Sequence, residues 1–274
     1  MRIVTAKGAK IPALGFGTFE LRQPEAFEAV SVALEVGYRH IDTAQIYGNE
    51  AEVGAAIAES GVPREEVFLT TKVWPDNFGP GELRPSVVAS LDRLQTDYVD
   101  LLLLHWPGER HPMADVLGRL AELRLAGMAD HVGVSNFTTL LLDEAVRHSP
   151  VALATNQVEY HPFLDQSEIL AAVRERGMAL TAYSPLARGK VFGNERLTEI
   201  GRRHGKTEGQ VALRWLIQQP GVVAIPRSSD PDHIAENFEV FDFALSQEEM
   251  QRVSSLTEAD RRLIDPRGLA PAWD

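Results

Sequence analysis

No cysteine occurs among the 274 residues of the chain. That excludes disulfides, thiolate nucleophiles and zinc or iron–sulfur sites built on cysteine. No apolar run comes near the roughly 20 residues that a membrane-spanning helix needs. Residues Met1 to Lys10 hold no apolar run of about 7–15 residues, as a secretory signal would. These absences lead to the expectation of a soluble, cytoplasmic protein. Positive charge is scarce too: 27 Lys and Arg stand against 39 Asp and Glu, a formal net charge of −12. A nucleic-acid partner needs a basic face, and none is visible. An anionic ligand must be held by isolated cations and backbone donors against the overall field. The 8 histidines are scattered with no His-x-His pair. Metal-assisted hydrolysis usually needs clustered ligands, so no metal is expected.

What is present is a regular alternation of two textures. Short Val/Ile/Leu-rich runs are followed by longer stretches of helical period. The runs predict strands near Leu14–Gly17, His40–Asp42, Phe68–Lys72, Val99–His105, His131–Ser135, Ala154–Glu159, Ala179–Ser184 and Val222–Pro226. Between them the pattern predicts helices near Pro24–Val36, Glu50–Ser60, Pro80–Leu94, Pro112–Ala126, Thr138–His148, Gln166–Arg176, Thr207–Gln219 and Pro231–Phe238. Thr207 is a plausible cap for a helix whose stripe is Val211, Ala212, Trp215 and Leu216. Gly61, Gly127 and Gly177 stand where helix-ending glycines belong. Val99–Leu104 is apolar on both parities, as a strand covered on both faces should be.

Eight β–α units in one chain predict an α/β fold, a closed (β/α)8 TIM barrel spanning 1–274 as a single domain. An open doubly wound sheet is the alternative. Its fingerprint loop is missing, because Gly15-Phe16-Gly17-Thr18-Phe19-Glu20 ends in glutamate rather than glycine. Arg2–Pro12 alternates about Lys7-Gly8 and predicts a hairpin that plugs the barrel floor. Asn194–His204 and Ser246–Leu256 predict two helices outside the eight units, followed by an irregular tail to Asp274.

Four ionisable residues follow consecutive strand-like runs: Asp42, Tyr47, Lys72 and His105. Polar groups at the C-terminal ends of parallel strands lie at the mouth of a barrel, where active sites form. A lysine beside a phenol lowers its pKa. Asp42 is placed to hold Lys72, and His105 to hydrogen-bond a substrate carbonyl. An acid, a phenol, an amine and an imidazole together make a proton donor aimed at a carbonyl oxygen. None of the four can deliver a hydride, so the reaction needs an external reductant. Taken singly, each has an ordinary reading as a cap, a solvated lysine or packing. Schiff-base chemistry on Lys72 is a further alternative.

Several blocks resemble the aldo-keto reductase family. They are Gly37-Tyr38-Arg39-His40-Ile41-Asp42-Thr43-Ala44-Gln45-Ile46-Tyr47-Gly48-Asn49-Glu50, Thr71-Lys72-Val73-Trp74, Asp100 to Pro107, Gly133-Val134-Ser135-Asn136-Phe137 and Asn156-Gln157-Val158-Glu159-Tyr160. The tail Gly268 to Asp274 is similar to that of the bacterial 2,5-diketo-D-gluconate and methylglyoxal reductases. The resemblance implies a catalytic tetrad of Asp42, Tyr47, Lys72 and His105, with Tyr47 as general acid. It implies a monomer that reduces small carbonyls with a nicotinamide cofactor lying across the barrel mouth. Ser135, Asn136 and Gln157 match carboxamide-holding positions, and Tyr183 matches the ring that stacks on the nicotinamide. Ser184, Pro185 and Leu186 match the pyrophosphate loop. Gly17, Thr18, Asp42, Pro226, Arg227, Ser228, His233, Glu236 and Asn237 complete the implied cofactor groove. A non-catalytic regulatory subunit of the same fold is the alternative role.

The end of that groove departs from the family pattern. Relatives that prefer NADPH usually carry a Lys-Ser or Lys-Thr pair after strand 8 and an arginine five residues past the Ser. Here Arg227 keeps the first cation, but His233 replaces the arginine, and Asp230 and Asp232 add negative charge. NADPH is the expected cofactor and NADH the alternative. Phe19, Tyr47, Trp74, His105, Trp106 and Trp273 are expected to wall the substrate pocket. The short loop Pro107–Pro112 and the short tail predict an open, loosely selective site for small aldehydes, diketones or sugar-derived carbonyls.

Overall fold

The computed structural model describes residues 2–258 and 261–274. Eight strands form one parallel sheet: β3 (Phe16–Gly17), β4 (His40–Asp42), β5 (Phe68–Val73), β6 (Val99–Leu104), β7 (Ala129–Ser135), β8 (Leu153–Glu159), β9 (Ala179–Tyr183) and β10 (Val222–Ala224). Each pairs with its sequence neighbours, and the last returns to the first. Leu14 bridges Ala224 in parallel, and the Gly15 amide donates to the Ala224 carbonyl at 2.8 Å. The sheet is therefore a (β/α)8 barrel. Its strands are short because the barrel needs only a few layers of inward side chains. All six residues of β5 and all seven of β8 are buried, as a sheet covered on both faces demands.

The hairpin is present as β1 (Ile3–Ala6) and β2 (Ala9–Pro12), joined by Lys7 (φ 49°) and Gly8 (φ 90°). Positive φ at both turn positions matches the right-handed twist of a two-residue hairpin. It plugs the floor, with its tip close to His131 near the start of β7 and to Gly177 just before β9.

The helices around the barrel are α1 (Glu25–Val36), α2 (Glu50–Glu59), α3 (Leu83–Leu94), α4 (Met113–Leu125), α5 (Thr139–His148), α6 (Ser167–Glu175), α8 (Glu208–Gln218) and α9 (Pro231–Phe238). The two additional helices are α7 (Glu195–His204) and α10 (Gln247–Ser254). The boundaries differ from expectation where backbone chemistry intervenes. Helix α3 begins at Leu83 rather than Pro80, because Gly81 adopts φ 129° between them. Strand β10 stops at Ala224, two residues before Pro226, which has no amide to donate. Thr207 caps α8 as expected, in a reciprocal box with Gln210. Among the described residues no helix is long and apolar enough to cross a membrane.

Candidate active site

The connection after β4 builds the centre of the site. Asp42 ends the strand, and the chain turns through a 3-10 turn, Gln45–Tyr47, closed by Gly48 at φ 67°. That turn brings Tyr47 back over the end of β5, where Lys72 lies. Lys72 is wholly buried. Its Nζ donates to Asp42 Oδ1 at 2.5 Å, to the Thr43 carbonyl at 2.8 Å and to the Tyr47 hydroxyl at 3.4 Å. Asp42 Oδ2 accepts from Gln157 Nε2 at 2.8 Å. Both carboxylate oxygens and all three ammonium directions are thus used, as a buried ion pair requires. The His105 ring lies 5.6 Å from the Tyr47 ring and 5.3 Å from the Trp74 ring. The structure brings all four predicted residues together.

The same connection braces the walls on either side. Gln45 Oε1 accepts from the Trp74 amide and from Asn77 Nδ2, both at 3.0 Å. Asn49 Nδ2 donates to the carbonyls of Thr18 at 2.8 Å and Leu21 at 2.9 Å. Glu50 is buried between Thr71 and Arg93 and adds a negative charge behind Lys72.

The electrostatics depart from one expectation. Burial pushes the Tyr47 phenol well above its ordinary pKa, and the Asp42 charge adds to the rise. Lys72 was expected to lower it. At 2.5 Å Asp42 cancels much of the lysine's charge, and the dry setting penalises a phenolate. Burial likewise draws the Lys72 amine down, while Asp42 opposes the shift. Burial and then the Lys72 charge hold the His105 imidazole well below its ordinary pKa. His105 is therefore neutral at pH 7 and carries a single N–H.

These residues open into a cavity of about 590 Å3, within the usual range for small-molecule sites. Phe19, Ile46, Trp74 and Trp106 line it with Tyr47 and His105, Phe19 lying against the Tyr47 ring and Trp74 against His105. Ser135, Asn136, Gln157 and Tyr183 line it too. Asn136 (φ 64°) donates Nδ2 to the His105 carbonyl at 3.0 Å and accepts from the Tyr183 hydroxyl at 2.8 Å. Without the family resemblance, Ser135-Asn136 would read as a helix cap, but Thr138 caps α5 instead. Gly17, Thr18, Ser184, Pro185 and Leu186 line it as well. Pro226, Arg227, Ser228, His233, Glu236 and Asn237 also line it, with the Pro226 carbonyl accepting the Gly17 amide at 2.9 Å. Lys72 lies behind Asp42 rather than on the cavity surface, as a group acting through its neighbours should.

Two expectations need correction. Trp273 does not line the cavity. It packs edge-on against Trp106 at 6.2 Å and lies under the Arg262 guanidinium at 3.6 Å, so it backs the wall instead of forming it. Nor does the short tail leave the mouth bare, because Ile264, Pro266 and Leu269 reach back into the cavity. Glu20, Arg188 and Phe192 were missed by the sequence reading. Arg188 donates to both carboxylate oxygens of Glu20 at 2.8 and 3.0 Å, joining two loops that no local pattern connects.

Just past Arg227 and Ser228, Asp230 Oδ1 accepts from the amides of Asp232 at 2.9 Å and His233 at 3.3 Å. It thereby occupies the N-terminus of α9. Arg227 donates to the Glu20 carbonyl at 3.1 Å. Glu236 accepts from the Thr207 hydroxyl at 2.8 Å. Among the described residues, no group of three or more His, Asp or Glu is gathered to hold a metal ion.

Comparison with known proteins agrees with this geometry. The profile of the Aldo/keto reductase family matches residues 13–258. The chain is 40% identical over 267 residues to the methylglyoxal reductase DkgB of Escherichia coli O157:H7, covering 96% of this chain and 99% of that one. It is 43% identical over 255 residues to the glyoxal reductase of Bacillus subtilis (strain 168), covering 93% and 92%. A crystal structure of a protein assigned as a 2,5-diketo-D-gluconic acid reductase B superposes with a TM-score of 0.99 at 54% identity, over 100% of this chain and 98% of that one. Sequence and fold thus agree, and the chain belongs to the aldo/keto reductase family.

Proposed function

We propose that the protein reduces small aldehydes and ketones to alcohols, using a nicotinamide cofactor bound along the cavity. One observation carries the reading: Tyr47 lies 3.4 Å from a buried Lys72 that is paired with Asp42, beside a neutral His105. The lining suits an extended dinucleotide. Neutral hydrogen-bonding groups (Ser135, Asn136, Gln157), the Tyr183 ring and the cation Arg227 line the same cavity as Tyr47. When bound, the cofactor supplies the hydride.

The chain's own residues handle the carbonyl oxygen. The single N–H of His105 orients it by hydrogen bonding. Tyr47 keeps its proton at rest, because burial disfavours the phenolate. An alkoxide is a far stronger base than a phenolate, so charge developing on the oxygen draws that proton across. Lys72 then stabilises the phenolate at close range, and Asp42 and Gln157 hold Lys72 in register. The apolar walls exclude water, which strengthens each of these interactions.

Substrates of this reading are small uncharged or weakly polar carbonyls, such as methylglyoxal. Screening a panel of aldehydes, diketones and sugar-derived carbonyls with NADPH and with NADH tests it. Tyr47→Phe should lose at least roughly a thousandfold in kcat/KM while binding cofactor normally. Near-parental turnover in that variant sinks the mechanism. NADPH is the proposed cofactor, because Arg227 and Ser228 offer a cation and a hydroxyl to a 2′-phosphate. NADH is the second reading. Asp230 already fills the backbone donors of α9 and sets a negative charge there, which suits a free ribose hydroxyl. Dissociation constants for the two cofactors, from tryptophan fluorescence, decide between them.

A further inference from the structure

The described tail, residues 261–274, contains no helix or strand, yet it supplies Ile264, Pro266 and Leu269 to the cavity. Something outside it must fix its path. One end is held by Asp274, whose carboxylate accepts the Thr139 amide at 2.9 Å and the Thr139 hydroxyl at 2.8 Å. The other end is held by Glu159. This residue closes β8, two positions beyond Gln157, and strand alternation turns both side chains to the same side. Gln157 reaches Asp42, whereas Glu159 reaches the tail. Its side chain is wholly buried. Oε1 accepts from the Leu263 amide at 2.8 Å and from His161 Nε2 at 2.9 Å, and Oε2 accepts from the Ile264 amide at 2.9 Å. His161 Nδ1 accepts the Phe163 amide at 3.3 Å, so the proton on Nε2 is the one given to Glu159.

We propose that Glu159 is a positioning residue whose buried carboxylate pins the tail amides at 263 and 264 and so builds one wall of the carbonyl pocket. The proposal rests on the reductase reading for its kinetic consequences but not for its structural ones. A carboxylate taken out of water must be compensated by donors. Here two of the three come from a segment more than a hundred residues away in sequence, so the charge and the docked tail stabilise each other. Glu159 touches no reacting atom. Its effect passes through Ile264, Pro266 and Leu269, and therefore falls on substrates large enough to meet them.

Amide hydrogen exchange on the unmodified protein is the first test. The amides of Leu263 and Ile264 should exchange far more slowly than those at 267 and 268. Equally fast exchange overturns the proposal without any variant. In Glu159→Gln, one of the two charged acceptors becomes a donor that faces an amide, and exchange at 263 and 264 should accelerate by roughly tenfold or more. The kinetic arm compares methylglyoxal with phenylglyoxal, which differ only in the substituent on the dicarbonyl. KM for phenylglyoxal should rise by roughly tenfold, with kcat and KM for methylglyoxal and Kd for cofactor within about twofold. His161→Gln keeps a donor toward Glu159 and should behave like the parent. Parallel loss for both substrates, or a fall in kcat alone, contradicts the assignment. If the parent reduces neither dicarbonyl, the reductase reading fails, and the exchange data still judge the anchor.

Discussion

Tyr47 is a weak acid made weaker by its surroundings, and that suits a donor that must not lose its proton before the substrate needs it. His105 is held neutral by the same burial. A third buried group, His40, makes the cost of this design measurable. Burial draws its imidazole from the ordinary 6.5 down to about 4. The unfolded chain takes up a proton near 6.5 that the folded chain refuses until about 4. Stability from this group is whole above that window and is lost as pH falls through it, by on the order of 3 kcal/mol. Urea unfolding at about pH 7.5 and about pH 4.5 should show the drop in the parent. In His40→Gln the drop should be smaller by that amount, and an unchanged drop rules out this origin. The residue types of the tetrad were legible in the sequence because strand ends are legible. The direction of the Tyr47 shift was not, since it depends on how dry the site is.

At the level of elements, caps and turns decide where side chains arrive. Thr207 illustrates this: it closes a capping box with Gln210, and its hydroxyl also donates to Glu236 on the cavity wall. Thr207→Ala should cost about 1 kcal/mol in urea unfolding. It should also free the Glu236 carboxylate and weaken binding of an anionic cofactor, as read by fluorescence titration. Loss of stability with unchanged cofactor affinity separates the cap from the site. The cap itself was evident from the sequence, because it depends on residues three apart. Its tie to Glu236 was not, since the two lie 29 residues apart and meet only when α8 packs beside α9.

The whole molecule depends on closure of the first strand against the last. Gly15 makes it possible, because a Cβ there would lie 2.6 Å from His40 Nδ1 and 3.0 Å from Ile225 Cγ2. Gly15→Ala should destabilise by about 1–3 kcal/mol through overpacking. The loss should show in thermal unfolding by circular dichroism, and a melting temperature within about a degree of the parent counts against it. The sequence alone determined the eight β–α units, their order and the rim on which Asp42, Tyr47, Lys72 and His105 gather. Each of those follows from local periodicity and from the handedness of parallel connections. Tertiary structure decided what meets across the mouth: Arg188 with the Glu20 carboxylate, Arg227 with the Glu20 carbonyl, and Glu159 with a tail that has no secondary structure of its own. Such contacts join residues far apart in the chain. They arise from the curvature of the barrel, which no window of neighbouring residues contains.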